Sequence, residues 1–178
     1  DLGIVFDGGG HSLKNLKSKG KHYSSFFGVL YGKCYNVKFV DAEIEAVGDN
    51  SGSGVIGGYI GTAGKPGYVS DVTVSGSVTN NAARQPVGGL CGTAREAQIE
   101  NCKTSGLTVT NNVMSGSVGG LCGIMNGATV RGCEADVKVV NNFADGTVAG
   151  RTAAGGVAGR TTAVNEKGDV IIDTKNII

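Results

Sequence analysis

The sequence predicts an all-β protein, a right-handed parallel β-helix (β-solenoid) of about five coils of about 31 residues with an N-terminal cap. Three observations predict it. Val87-Gly88-Gly89-Leu90-Cys91-Gly92 returns 31 residues later as Val118-Gly119-Gly120-Leu121-Cys122-Gly123, and the same frame recurs as Ile56-Gly57-Gly58-Tyr59-Ile60-Gly61 and as Ala154-Gly155-Gly156-Val157-Ala158-Gly159. Apolar residues three apart recur in step with this frame: Cys34 and Val37, Val69 and Val72, Ile99 and Cys102, Val130 and Cys133. Asparagine-containing pairs keep the same beat, as Asp49-Asn50, Asn80-Asn81, Asn111-Asn112 and Asn141-Asn142.

Composition narrows the alternatives. The chain has 178 residues with 32 glycines, 2 prolines and no tryptophan, and the glycines follow no every-third-residue rule, which excludes collagen. A hydrophobic content of 40% argues against disorder. A net charge of +1 supplies no field to steer the chain to nucleic acid or an anionic membrane. No apolar run reaches the roughly 18 residues that a membrane-spanning helix needs. The chain opens inside an apolar, strand-like run and closes on Ile177-Ile178, the pattern of a piece of a longer protein.

Residues 1–24 differ from the rest. Gly3-Ile4-Val5-Phe6 is a strand, Asp7-Gly8-Gly9-Gly10 a tight turn and His11 to Leu16 a second strand. An array's terminal unit meets solvent on one face, so this segment is assigned as a cap or partial coil. The repeats occupy 25–159 and an irregular last coil 160–178, all within a single domain.

Within each repeat a glycine-framed apolar strand comes first. Both of its alternating columns are apolar, and Val87 with Cys91 is placed inside because that column stays small; the column of Leu90, with Phe26, Tyr59, Leu121 and Val157, is left to cover an outer face or meet a partner. Next comes the step of three, which in a β context requires a bend between the two apolar residues. Beyond it Cys133, Ala135, Val137 and Val139 alternate with Glu134, Asp136 and Lys138, the period-two pattern of a strand with one wet face. Last comes the asparagine turn. Coils about 4.8 Å apart allow the amides of Asn50, Asn80, Asn81, Asn111, Asn112, Asn141 and Asn142 to bond along a structural ladder.

The unit Gly-Gly-Leu-Cys-Gly followed by Ile99-Glu100-Asn101-Cys102, with the opening Phe6-Asp7-Gly8-Gly9-Gly10-His11-Ser12-Leu13-Lys14-Asn15-Leu16, resembles the GLUG-motif proteins. The resemblance covers nearly the whole chain. It implies a bacterial, secreted or surface-anchored, adhesin-like protein, and a motif that also occurs in non-catalytic regions of surface metalloproteases of the immunoglobulin A protease type. The last repeat departs from it, inserting residues around Asn165-Glu166-Lys167-Gly168-Asp169 and lacking the cysteines.

Candidate chemistry is sparse. β-Helix lyases and hydrolases need carboxylates stacked on adjacent coils. Here Asp71 aligns with Asn101 and Gly132, and Glu100 with Ser70 and Arg131, so no acidic column forms; Glu43 and Glu45 make a solvated face. Gly52-Ser53-Gly54-Val55-Ile56-Gly57 matches a dinucleotide fingerprint but lacks the helix that must follow. Cys91 with Cys122 and Cys102 with Cys133 fill core columns, an inter-coil disulfide remaining open; no close-spaced ligand pair suggests zinc. His11 belongs to a turn. Lys14, Lys17, Lys19 and Lys21 form a local basic patch, a solvated surface or a contact for acidic glycans.

The expectation is therefore an exported, extracellular or cell-surface binding or structural module without catalysis, cofactor or metal, whose partner is a host glycan or matrix protein. The alternatives are a carbohydrate-active enzyme and a passive spacer of a larger surface protein.

Overall fold

The computed structural model describes residues 3–48, 51–82, 85–113, 116–142 and 153–161. They form no helix. Parallel strands stack level upon level into a β-solenoid of about four turns. The lowest level holds β1 (Ile4–Asp7), β2 (Ser12–Lys14) and β3 (Lys17–Gly20). Above it lie β4 (Val29–Leu30) and β5 (Gly32–Ala46), then β6 (Gly57–Ile60) and β7 (Gly67–Asn80). The next level has β8 (Val87–Gly88), β9 (Cys91–Arg95), β10 (Ala97–Glu100) and β11 (Lys103–Asn111). It is followed by β12 (Ser117–Gly119), β13 (Cys122–Asn126), β14 (Thr129–Arg131) and β15 (Glu134–Asn141), and finally β16 (Ala153–Gly155) and β17 (Ala158–Thr161).

These strands make three sheets, one per side of the coil: nine strands in the largest, five in the second and three in the third. The first three strands are a parallel rung of the stack, with Ile4 opposite Gly32, Ser12 opposite Lys38 and Lys17 opposite Glu43.

The step of three is a left-handed backbone kink. Asn36, Asp71, Asn101 and Gly132, each immediately before the second apolar residue, have φ of 58°, 54°, 52° and 57°. Asparagine, aspartate and glycine tolerate this region, and stacking the kink in every coil turns each chain level at the same corner. Both apolar residues then point inward: Cys34, Val37, Val69, Val72, Ile99, Cys102, Val130 and Cys133 are all buried. Each such side chain removed from water contributes about 1.5–3 kcal/mol for Val or Ile, an upper figure for the smaller Cys.

Two expectations about the glycine motif need correction. Leu90 and Leu121 lie inside with Val87 and Cys91, all fully buried, whereas Phe26 of the same expected column is exposed and Tyr59 and Val157 are half-buried. The chain turns a corner at Gly89-Leu90, between β8 and β9, so three residues of one hexapeptide face the same interior. Glycine is demanded there by close approach, since a Cβ on Gly89 would strike the Gly120 carbonyl and the Leu107 side chain. The register also differs, because Gly57 pairs with Cys91 and the Ile56 amide donates to the Leu90 carbonyl (2.9 Å). Ile56, not Tyr59, is thus the counterpart of Leu90. Four extra residues cause the slip and are taken up between Ile60 and Gly67, where Thr62 and Lys65 bridge antiparallel through reciprocal hydrogen bonds of 2.9 and 3.0 Å.

Candidate functional site

The asparagines form two parallel ladders. On the inner one Asn80 Nδ2 donates to Asn111 Oδ1 (2.7 Å) and Asn111 Nδ2 to Asn141 Oδ1 (2.9 Å), with Asn80 and Asn111 fully buried. On the outer one Asn142 donates to Asn112 (2.7 Å), Asn112 to Asn81 (2.8 Å) and Asn81 to Glu45 (3.0 Å). Side-chain amides carry both donors and an acceptor, so each rung satisfies the next. Register places Ala46 beneath Asn80; Asn50 lies outside the described residues.

The basic patch is partly neutralised. Lys17 Nζ stands 2.8 Å from Glu43 and Lys19 Nζ 2.8 Å from Glu45, each pair bridging β3 and β5. Lys19 and then Asn81 hold the Glu45 carboxyl below its ordinary range, and Glu43 raises Lys17. Lys17 and Lys19 of the Lys14 to Lys21 segment are thereby ion-paired across adjacent levels. His11 closes its turn, its amide donating to the Gly8 carbonyl (2.9 Å), and His22 Nδ1 lies 3.3 Å from Ser51 Oγ.

The five cysteines are buried thiols. Cys91 and Cys122 pair directly across β9 and β13, with sulfurs 3.6 Å apart, and the Cys102 amide donates to the Cys133 sulfur at 3.3 Å. Burial pushes the Cys34 thiol up to about 12 and, with the neighbouring Cys122, raises Cys91 well above the thiol range. Cys34 and Cys91 are therefore held as thiols at neutral pH, whereas the contact with Cys102 lowers Cys133. Among the described residues no group of three or more His, Cys, Asp or Glu side chains is placed to hold a metal.

A further surface feature lies on the outer face of the nine-stranded sheet. Inward residues of its rungs are Cys34, Val69, Ile99 and Val130, which turns their flanking neighbours outward. One outer column then runs Lys33, Tyr68, Gln98, Thr129 and the next Tyr35, Ser70, Glu100, Arg131. Two adjoining shallow grooves share Tyr68. The first, of about 170 Å³, is lined by Lys33, Tyr68, Ser70, Gln98 and Glu100; the second, of about 270 Å³, by Tyr31, Gly32, Lys65, Pro66 and Tyr68. The four-residue insertion builds the far wall, presenting Lys65 and Pro66, and is tied to the next level by the Gly64 amide donating to Glu96 (2.8 Å).

Each lysine is set over a ring. Lys65 Nζ lies 5.0 Å from the Tyr31 ring centre and Lys33 Nζ 5.9 Å from that of Tyr68. Both tyrosines are half-buried. Strict alternation in Gly32-Lys33-Cys34-Tyr35 and Gly67-Tyr68-Val69-Ser70 marks these residues as outward-facing, but their assembly across coils depends on register.

Residues 87–110 match the model of the GLUG motif. They are one level of the solenoid, β8 to β11, and the motif's Val87, Leu90 and Cys91 are core side chains, so the signature specifies a coil. The fold is similar to that of a crystal structure named as a putative immunoglobulin A1 protease from Bacteroides ovatus, with 23% identity and a TM-score of 0.52. The alignment covers 94% of this chain and 64% of that one, so the chain spans less than two thirds of the length of that protein. No curated protein matches the sequence.

Proposed function

We propose that this GLUG-motif solenoid is an exported, bacterial cell-surface module of adhesin type that acts by binding and not by catalysis. The observation that carries the reading is the outer face on which Tyr31, Lys33, Tyr68 and Gln98 line two joined grooves on consecutive levels of a rigid stack. The buried motif residues serve the scaffold, leaving the outward columns free to vary in chemistry, and repeated levels allow several weak contacts to act together. An extracellular setting is supported by the GLUG match and by a fold neighbour whose name places it among proteases of immunoglobulin. The asparagine ladders are structural in this reading.

A carbohydrate-active enzyme is the competing class. Glycoside hydrolysis asks for two carboxyl groups roughly 5–10 Å apart across the bond to be cut. The grooves offer Glu100 as their lining carboxylate, beside Arg131 in register, which suits a hydrogen-bonding role better than an acid–base pair. The deciding experiment applies the folded chain to an array of glycans and matrix proteins and, in parallel, to polysaccharides with a reducing-end assay. Retention on the array without new reducing ends supports the module; release of reducing ends overturns it.

A further inference from the structure

We infer that the paired grooves around Tyr68 bind an acidic glycan, with its anionic group held at Lys33 and its rings packed along the Tyr31 and Tyr68 side chains. The inference rests on the binding-module reading and names the ligand class. What singles out the grooves is a contrast with the ion-paired lysines elsewhere on the surface. Lys17, Lys19 and Lys103 each face a glutamate one level away, at 2.8, 2.8 and 2.6 Å. Lys33 instead stands opposite Tyr68, which stands opposite Gln98, and Lys33 has no carboxylate partner among the described residues. A cation set against an aromatic ring keeps its capacity to pair with an incoming anion. At 5.9 Å from the ring centre its ammonium lies over Tyr68 near the outer limit of a cation–π contact, which is about 6 Å, so the contact is a loose one.

The rest of the lining suits hydroxyl-rich rings. Tyrosine supplies a flat apolar face with a polar tip, and Ser70, Gln98 and Glu100 supply donors and acceptors. A peptide strand finds nothing to add to here, because β5, β7 and β10 are hydrogen-bonded to neighbours on both sides and their backbone groups are spent. Recognition must come from side chains, spaced one level apart along the axis.

The test is calorimetric titration of the folded chain with hexagalacturonate (carboxylated), a heparin-derived hexasaccharide (sulfated), maltohexaose (uncharged) and oligoglutamate. Binding of one or both acidic sugars is expected at least about tenfold tighter than maltohexaose and oligoglutamate. Lys33→Gln should weaken it about three- to tenfold and Tyr68→Ala more, with Tyr68→Phe retaining most of it and Lys103→Gln unchanged. Circular dichroism and Tm confirm that each variant is folded. Equal binding of oligoglutamate, or acidic-sugar binding indifferent to Lys33→Gln and to a folded Tyr68 variant, overturns the inference while leaving the module reading standing. Absence of binding to all four probes overturns the inference; absence on the wider array as well removes the module reading.

Discussion

Asn80 and Asn111, 31 residues apart in sequence, share a 2.7 Å hydrogen bond inside the solenoid where neither side chain reaches water. A buried amide without its partner carries a desolvation penalty of about 1–3 kcal/mol. Asn111→Ala removes the acceptor for Asn80 and the donors to Asn141 and to the Val113 carbonyl. It should lower Tm by several degrees at about 2–4 °C per kcal/mol. Lys103→Ala breaks only an exposed pair with Glu134 and should shift Tm by about 2 °C or less. Thermal melts of the two variants compare them directly, and equal losses would count against the ladder's weight.

The corner at Asn101 rests on a left-handed residue with φ of 52°. Asn101→Gly should be nearly neutral, since glycine enters this region freely and the hydrogen bond that asparagine donates to Asp71, at 3.4 Å, is long and exposed. Asn101→Val puts a β-branched residue where its Cβ crowds the carbonyl, at about 1–3 kcal/mol. Urea unfolding midpoints should separate the two in that order, with unchanged slopes.

Gly89 has no room for a methyl group, because Gly120 of the next level and the Leu107 side chain already occupy the space. Gly89→Ala must push two coils apart and should cost about 3 kcal/mol or more. Soluble yield and Tm are the readouts, and a fully stable Gly89→Ala protein would contradict the close approach.

The carboxyl of Glu45 sits below its ordinary range because Lys19, and then Asn81, donate to it. A depressed folded pKa contributes stability that is present above the unfolded value, about 4.3, and is lost as pH falls through the folded one. Lys17, raised by Glu43, works in the opposite sense, contributing below its unfolded value of about 10.4 and losing that contribution as pH rises through the folded one. Glu45→Gln should therefore lie below the parent in Tm at neutral pH and converge with it in acid. Melts across the acid range check this, and parallel curves would refute it.

Every cysteine is buried, Cys34 with a thiol pushed up to about 12. At about pH 8 the native chain should resist iodoacetamide, and unfolding in urea should expose five alkylatable thiols by mass spectrometry. Fewer than five in the reductant-free unfolded chain would show that oxidation has joined a pair such as Cys91 and Cys122.

Much of this architecture is written along the chain. The step of three before Val37, Val72, Cys102 and Cys133 marks a bend because a strand cannot put both residues on one face otherwise, and the kinks at Asn36, Asp71, Asn101 and Gly132 are that bend. Alternation beyond it likewise separates Ala135, Val137 and Val139 from Glu134, Asp136 and Lys138. Both signals are local, carried by a few residues whose chemistry matches one backbone shape.

What only the tertiary structure decided is which side chains of different coils meet. A glycine-rich hexapeptide is nearly self-similar under small shifts, so the sequence frame set Gly57 against Gly88, whereas core packing set it against Cys91 and looped out four residues. That loop made the Lys65-Pro66 wall, and the same packing drew Leu90 inward at a corner that period-two alternation cannot describe. Coil identity is encoded in short-range pattern, but the register between coils follows from the whole interior filling at once. The Tyr31 and Tyr68 grooves, built from outward residues of separate levels, exist only after that register is settled.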